Sequence, residues 1–314
     1  MDYHRQVVFT AATDAFLIPQ PPEYMSLAKL FAPHRTVLSF EVFPPKTDAG
    51  LSDLMTIVKE LNTHQPDFFT CTYGAGGSTR DRTLTITAQM RAELGIPVAS
   101  HLTCVGSTRE QLRTYLQAAK ERGVDYIVAL RGDPPKGETT FTAVEGGLRY
   151  ANELVSLIRQ DFPEFGILVA GYPEVHQEAT CPEVDLANLV RKVNAGADAV
   201  VTQLFYDNDD FFRFRDLCHR AGIRVPIVPG LLPVLNLGQV QRIASLCKAR
   251  LPEAFVNRLQ QHDDPAWQFQ VGVEHATQQA QGLIEAGVPG IHFYVLNKSH
   301  ATNQILTNLT GLRR

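Results

Sequence analysis

From Val37 onward the chain alternates short apolar runs with longer amphipathic ones. The apolar runs fall at residues 37–43, 68–72, 98–102, 126–130, 167–170, 199–205, 225–229 and 291–295. They are rich in branched and aromatic side chains and show little polar alternation, the pattern of parallel strands covered on both faces. Between them, residues 51–62, 83–94, 109–122, 147–161, 184–194, 209–220 and 237–249 predict helices. A helical insert at 265–285 precedes the last strand, and a closing helix at 300–309 follows it. Ser107 and Thr108 are N-cap candidates for the helix that opens at Arg109.

Glycine marks where these helices should end. Gly95, Gly123, Gly196, Gly222 and Gly287 each follow a helical segment and precede an apolar run. A glycine there takes the left-handed cap conformation without a Cβ penalty. About eight strands alternating with eight helices over roughly 250 residues predict an α/β fold of the (β/α)₈ TIM-barrel type. An open doubly wound sheet is the alternative, but no G-x-G-x-x-G follows a strand; the YGAGGSTRD segment has the wrong spacing. Pro19, Pro21 and Pro22 break periodicity near the start. Residues 1–36 are therefore expected to form an N-terminal arm with one short helix near 23–31, and 37–314 a single barrel.

Composition narrows the class. With 314 residues, 44% of them hydrophobic, the chain can bury one large core. Its net charge is -4, and Lys and Arg are scattered, so neither nucleic acid nor a membrane surface is expected as a partner. No apolar run approaches the roughly 18 residues of a membrane span. The first residues carry Asp2 and Asp14 without an uninterrupted apolar stretch, so no secretory signal is read. Cys71, Cys104, Cys181, Cys218 and Cys247 are isolated and odd in number, which reads as reduced thiols in a cytoplasmic protein. The histidines form no metal-ligand spacing, and there is no G-x-S-x-G elbow.

Candidate chemistry lies at the strand ends, where parallel α/β folds bind ligands. YIVALRGDPPKG holds Arg131 and Asp133 at the end of a buried strand, with Gly132, Pro134 and Pro135 forbidding its continuation. Glu41 lies inside an apolar strand. Burial alone would raise its pKa and suit it to general-acid work; the other reading is an inward carboxylate paired with a cation. Gly74, Gly76 and Gly77 follow the second strand, as a ligand-approaching loop or a plain turn. His101 reads as a hydrogen-bonded structural residue or a catalyst. Asp185, Asn188 and Lys192 share one helix face, solvated or ligand-bearing. Gln203 offers a bidentate amide. Aromatic faces with amides suit a flat, nitrogen-rich heterocycle, and redox chemistry would require a cofactor.

Taken together, FEVFPPK, TYGAGGSTRDRT, HLTC, ALRGDPP, YPEVH, DLANLVRKVNAGAD, TQLFYD, PGLLPV and IHFYVLN, in this order from Leu38 to about Asn303, resemble the methylenetetrahydrofolate reductases. The likeness is to the short, bacterial type that carries the catalytic barrel only. The resemblance implies a barrel that binds FAD without a Rossmann motif. It implies ping-pong reduction of 5,10-methylenetetrahydrofolate to 5-methyltetrahydrofolate by NADH or NADPH, in a homo-oligomer. By the same resemblance Glu41 is the general acid, and Asp133 tunes the flavin and binds folate. Thr72, His101, Arg131, Gly132, Asp133, Tyr150, Ala151, Tyr172, His176, Ala179, Asp185, Asn188, Arg191 and Lys192 fall where the family contacts FAD. Asp133, Gln203, Gln239, Tyr294 and Lys298 fall where it holds folate. Ile243 and Leu204 stand where aromatics occur in the family, and Lys298 where the bacterial form has arginine. The chain stops after its eighth helix, so no inhibition by S-adenosylmethionine is expected. Two rivals are a cofactor-free barrel lyase or aldolase using Glu41 and Asp133 as an acid–base pair, and a non-catalytic flavin- or folate-binding protein.

Overall fold

The computed structural model describes residues 27–31, 35–73, 80–134, 137–138 and 140–312. A short helix α1 (Leu27–Leu30) precedes β1 (Val37–Val42). There follow α2 (Asp48–Asn62), β2 (Phe68–Cys71), α3 (Arg80–Leu94), β3 (Val98–Thr103) and α4 (Arg109–Glu121). Next come β4 (Tyr126–Leu130), α5 (Ala151–Asp161), β5 (Gly166–Gly171), α6 (Pro182–Asn194), β6 (Ala199–Thr202) and α7 (Asn208–Arg220). The chain continues as β7 (Ile227–Val228), β8 (Gly230–Leu231), α8 (Leu237–Cys247), α9 (Glu253–Leu259), α10 (Pro265–Glu285), β9 (Gly290–Tyr294) and α11 (Ser299–Asn308).

Every strand pairing is parallel, and the order β7-β6-β5-β4-β3-β2-β1-β9-β8 joins into a barrel. β7 and β8 are two halves of one barrel strand. Pro229 between them has no N–H to donate, but its carbonyl accepts the His292 N–H at 2.9 Å. The first half pairs with β6 and the second with β9. The seventh barrel position thus hands its hydrogen bonds from one neighbour to the other, and eight positions close the sheet. The TIM barrel expected from the sequence is the observed fold.

The differences from expectation are local. The fifth helix begins at Ala151 rather than 147, because Gly147 pairs with Thr108 in an antiparallel bridge and Tyr150 is extended at φ -137°. The strand expected over 199–205 stops at Thr202, where the chain turns toward the α7 N-cap at Asp207. Helix α9 was not expected; Phe255 and Leu259 bury its apolar side against α8 and α10. Thr108 caps α4 in a reciprocal capping box with Gln111. The five junction glycines all have positive φ, from 70° at Gly95 to 117° at Gly196. Of the short helix expected near 23–31, Leu27–Leu30 is helical; residues 23–26 and the glycine-rich loop at 74–79 lie outside the described residues.

Side chains on a strand alternate faces. On the inward face, Val37, Phe68, Ala99, Tyr126, Leu168, Ala199 and Val228 form one apolar cluster with Leu27 and Leu30 of α1, which plugs the amino end of the barrel. The outward positions, among them Phe40, Phe69, Ile127, Ile167, Val200 and Phe293, belong to the larger core under the helices. Farther along the same inward faces the residues turn polar: Ser39 and Glu41 on β1, Thr70 on β2, His101 and Thr103 on β3, His292 on β9. The interior is therefore apolar at one end and polar at the other.

The amino end carries a repeated fastening. Asp67, Asp125 and Asp198 immediately precede β2, β4 and β6. Their carboxylates accept the N–H groups of Leu38 at 2.8 Å, Val98 at 2.9 Å and Ile167 at 2.7 Å. Each is also paired with an arginine: Arg35, Arg91 and Arg159 respectively. Burial raises the Asp125 pKa even with Arg91 3.0 Å away, so the ion pair only partly offsets its own desolvation. Its value lies in satisfying a strand N–H that would otherwise be orphaned. Asp125→Ala leaves both that N–H and Arg91 unpaired and should destabilise the fold by about 3–5 kcal/mol in urea unfolding. Asp161→Ala, which breaks only the more exposed Arg113 pair, should cost less than about 1 kcal/mol.

Candidate active site at the carboxyl ends of the strands

The polar end of the barrel centres on Glu41. Parallel pairing sets Ser39 beside His292 and Glu41 beside Tyr294 across β1 and β9. The Ser39 hydroxyl and His292 Nδ1 are 2.8 Å apart, and His292 Nε2 stands 3.7 Å from Glu41 Oε2. His101, on β3, places its Nε2 3.2 Å from the same oxygen. The Tyr294 hydroxyl donates to the Thr202 carbonyl at 2.6 Å, and its ring crosses over Gly230. A Cβ at Gly230 would lie 2.6 Å from that ring and 2.3 Å from the Thr202 carbonyl, so only glycine fits.

Burial is the largest single influence on Glu41 and pushes its pKa up, as the sequence led one to expect. The two imidazoles together outweigh it and hold the carboxyl at about 2. The expectation of a raised pKa is thus corrected for this state: Glu41 is a carboxylate held by two histidines. His292 and Ser39 are the members of this group to which sequence reasoning gave no role. The usable signal was parity, since both lie on the inward face that carries Glu41.

A second part of the site is a cleft of about 1100 Å³ beside β4 and β5. Gly132, at φ 88°, turns the chain away after β4; a Cβ there would lie 2.9 Å from Val105. Arg131 enters the cleft and binds Glu178 through two hydrogen bonds of 2.6 and 2.7 Å, with its guanidinium 5.1 Å from the Phe141 ring centre. The Tyr172 and His176 rings meet edge to face at 4.6 Å. Lys192 donates to the Ala170 carbonyl, and burial lowers its pKa to about 8. Asp185 accepts the His176 N–H at 3.0 Å. Val175, between these groups, has φ 73°. That conformation is strained for a β-branched residue, by roughly 1–3 kcal/mol. Its neighbours hold it there, because Glu174 accepts the Arg250 N–H at 2.7 Å on one side. The N-caps of α5 and α6, Tyr150 and Cys181, make no side-chain cap hydrogen bond; at α6 Pro182 has no N–H and the Glu183 carboxylate takes its own backbone N–H, so only the first N–H groups of α5 remain uncapped beside the cleft.

Of the residues carried over as cofactor contacts, Arg131, Tyr150, Ala151, Tyr172, His176, Ala179, Asp185, Asn188, Arg191 and Lys192 line this one cleft. Thr72, His101, Gly132 and Asp133 do not. Thr72 follows β2 and accepts the Thr83 hydroxyl on its carbonyl; His101 sits at Glu41. Asp133 is exposed at the rim, where its charge acts on Tyr172 and Cys247. Gln203 and Gln239 have their amide oxygens engaged by the Leu204 and Leu235 N–H groups, at 2.9 and 2.8 Å, so Gln203 does not present its amide with both groups free. Lys298 is exposed at the start of α11. Leu204 and Ile243 pack in the apolar cluster around α8, α9 and α10. Glu178, Phe141 and Arg149 also line the cleft and were not anticipated. Among the described residues, no group of three or more His, Cys, Asp or Glu could hold a metal, and no helix is long and apolar enough to cross a membrane.

Fold and site together define a TIM-barrel protein with a cationic, aromatic-lined ligand cleft beside a half-buried carboxylate. The family model described as methylenetetrahydrofolate reductase matches residues 26–310, and the chain belongs to that family. The 5,10-methylenetetrahydrofolate reductase of Pectobacterium carotovorum subsp. carotovorum is 40% identical over 291 residues, which cover 92% of this chain and 94% of that one. The Escherichia coli enzyme of the same name is 39% identical, covering 88% and 91%. Maize methylenetetrahydrofolate reductase (NADH) 1 is also 39% identical, but the match takes in 88% of this chain and 48% of the maize protein, so the chain spans about half the length of that relative. A solved structure of an uncharacterized protein from Clostridium thermocellum, described as binding two copies of 5-methyl-5,6,7,8-tetrahydrofolic acid, superposes with a TM-score of 0.61 over 89% of this chain and 96% of that one, at 15% identity. That likeness speaks to the fold alone.

The ionised Glu41 has a consequence for stability. Its folded pKa of about 2 lies below the ordinary glutamate value of 4.5, so its contribution is present above pH 4.5 and lost as the pH falls from there toward 2. Urea unfolding across that window should show wild type losing up to about 3 kcal/mol more than Glu41→Gln. Parallel curves would remove the two imidazoles as its stabilisers.

Proposed function

We propose that the chain reduces 5,10-methylenetetrahydrofolate to 5-methyltetrahydrofolate with FAD as cofactor and NADH or NADPH as reductant. One observation carries this reading: in a member of the methylenetetrahydrofolate reductase family, a half-buried carboxylate held between two histidines stands at the same barrel mouth as the cationic cleft. The residues present fit FAD. The cleft is at or above the roughly 300–1000 Å³ usual for small-molecule sites. Tyr150, Phe141 and Tyr172 supply aromatic faces, and Arg131, Arg149, Arg191 and Lys192 supply cations. The amino end of α5, which no side chain caps, favours an anionic diphosphate. When bound, the flavin would supply hydride transfer, with nicotinamide and folate taking turns at one face.

The chain's own residues then have distinct tasks. Opening the methylene bridge requires a proton on the departing amine, and Glu41 is the acid placed to hold it. As a free carboxylate it must first be protonated. Burial is already the strongest influence on it. A folate covering the mouth would exclude more water and favour the neutral acid. Asp133, at the rim, would accept the N–H donors of the pterin ring. Gln203 and Gln239 keep their amide N–H₂ groups as donors, since their oxygens are engaged. Lys298 offers an exposed ammonium to the carboxylates at the far end of folate, and Tyr294 walls the space between. Leu204 and Ile243 give an apolar but non-aromatic packing surface.

The first test is the visible spectrum of the purified protein under anaerobic conditions. A flavin spectrum that bleaches with NADH and recovers on adding methylenetetrahydrofolate is expected. A colourless protein that fails to take up FAD would overturn the cofactor assignment and favour a cofactor-free lyase. Glu41→Gln should suppress recovery by about 10²-fold or more while leaving bleaching within a few-fold; equal loss of both would misassign it. Asp133→Asn should alter flavin reactivity or weaken folate binding, and unchanged kinetics in both half-reactions would remove it from the site.

A further inference from the structure

The β1–β9 ladder ends at the catalytic carboxylate. Its last matched pair is Glu41 with Tyr294, and the Glu41 carbonyl accepts the Val295 N–H at 3.3 Å. Beyond this point β1 runs into Phe43, which is exposed, and then into Pro44 and Pro45. No backbone N–H or carbonyl of the partner strand continues the ladder there. A side chain does so. Asn297 accepts the Phe43 N–H on Oδ1 at 3.0 Å and donates from Nδ2 to the Phe43 carbonyl at 2.8 Å. A carboxamide has one acceptor and one donor side by side, so it can replace a strand residue against both backbone groups of its partner.

The same residue also turns the chain. Leu296 and Asn297 both lie in the left-handed region, at φ 48° and 51°. Asparagine tolerates that region better than most side chains. The turn delivers Lys298 to the mouth as the N-cap of α11, with its N–H on the Val295 carbonyl at 2.9 Å. Asn297 thus ties the segment that follows Glu41 to the segment that presents Lys298.

We propose that Asn297 is a positioning residue, whose two hydrogen bonds to Phe43 fix the Glu41 carboxylate against the substrate held by Lys298. This rests on the reductase reading of the same mouth. The experiment separates conformation from clamp. Asn297→Gly keeps the left-handed turn and deletes both hydrogen bonds. Asn297→Asp keeps the acceptor and loses the donor. In anaerobic stopped flow, flavin reduction by NADH should stay within about twofold in both variants, because it needs no proton from Glu41. Flavin reoxidation by methylenetetrahydrofolate should slow by on the order of tenfold in Asn297→Gly and less in Asn297→Asp, as expected for a group displaced from its reacting atom. The pH profile of that step should shift, which a merely structural role would not produce. Reoxidation at the wild-type rate and pH profile in either folded variant overturns the inference. A wild-type protein that bleaches with NADH but is never reoxidised by the folate overturns the reductase reading itself, and the inference with it.

Discussion

Everything at the barrel mouth depends on how a carboxylate is kept in the interior. An isolated buried carboxylate takes a proton or finds partners. Glu41 has two imidazoles, one from β3 and one from β9, and the second is itself held by the Ser39 hydroxyl. Three strands therefore converge on one oxygen. That convergence comes from a stagger between the strands: His292 pairs with Ser39, two residues before Glu41, and His101 lies two residues beyond Ala99, which shares a register with Glu41 through Thr70. The apolar half below needs its own seal, and Leu27 and Leu30 of α1 supply it. The site lies at the carboxyl end because only there does the interior change character.

The cleft follows a different logic. Its cations are not idle in this state: Arg131 is forked onto Glu178, Lys192 rests on the Ala170 carbonyl, and Arg191 donates to Asn188 at 2.5 Å. Each contact ends on an oxygen acceptor, the position a phosphate or hydroxyl oxygen could take. The loop carrying Tyr172 and His176 is pinned on both sides of a strained Val175, so these rings do not depend on a ligand for their placement. Asp133 and Tyr294 face this loop closely enough for Tyr172 to feel the one and act on the other. That joins the cleft to the Glu41 pocket.

Much of this was legible in the sequence, for identifiable reasons. The strands read as apolar runs because a barrel strand is covered on both faces, and helix ends read from glycine because the left-handed cap tolerates little else. The polar helix face from Asp185 to Lys192 was visible as a spacing. What was not legible depends on partners distant in the chain. Nothing near Glu41 signals His292, 251 positions away, and burial alone gave the wrong direction for its pKa. The split at Pro229 was hidden because a proline looks like a strand end, whereas here the strand changes neighbours around it. The Gln203 amide looked free because its contact is with its own following N–H. Helix α9 was missed because its apolar residues are few and its partners lie in α8 and α10.

The aspartate fastenings at β2, β4 and β6 cast the closing seam in a different light. By that pattern an equivalent before β9 would serve the strand that precedes it; the chain has Pro289 there instead, and across the closing seam its carbonyl accepts the Val37 N–H at 3.0 Å. No carboxylate serves the strand N–H at that point. The seam between β9 and β1 is joined along its length by the ladder itself, by Ser39 to His292, by the Glu41 carbonyl to Val295, and at the mouth by Asn297 to Phe43. Two of these links use side chains, and one of them, Ser39 with His292, belongs to the pocket that holds Glu41. Elsewhere the barrel separates stability at its amino end from chemistry at its carboxyl end. At this seam the two coincide, because the hydrogen bonds that close the sheet also set the position of the carboxylate. Pairing of the first and last strands thus closes the barrel and brings His292 to Glu41, while His101 reaches it from β3.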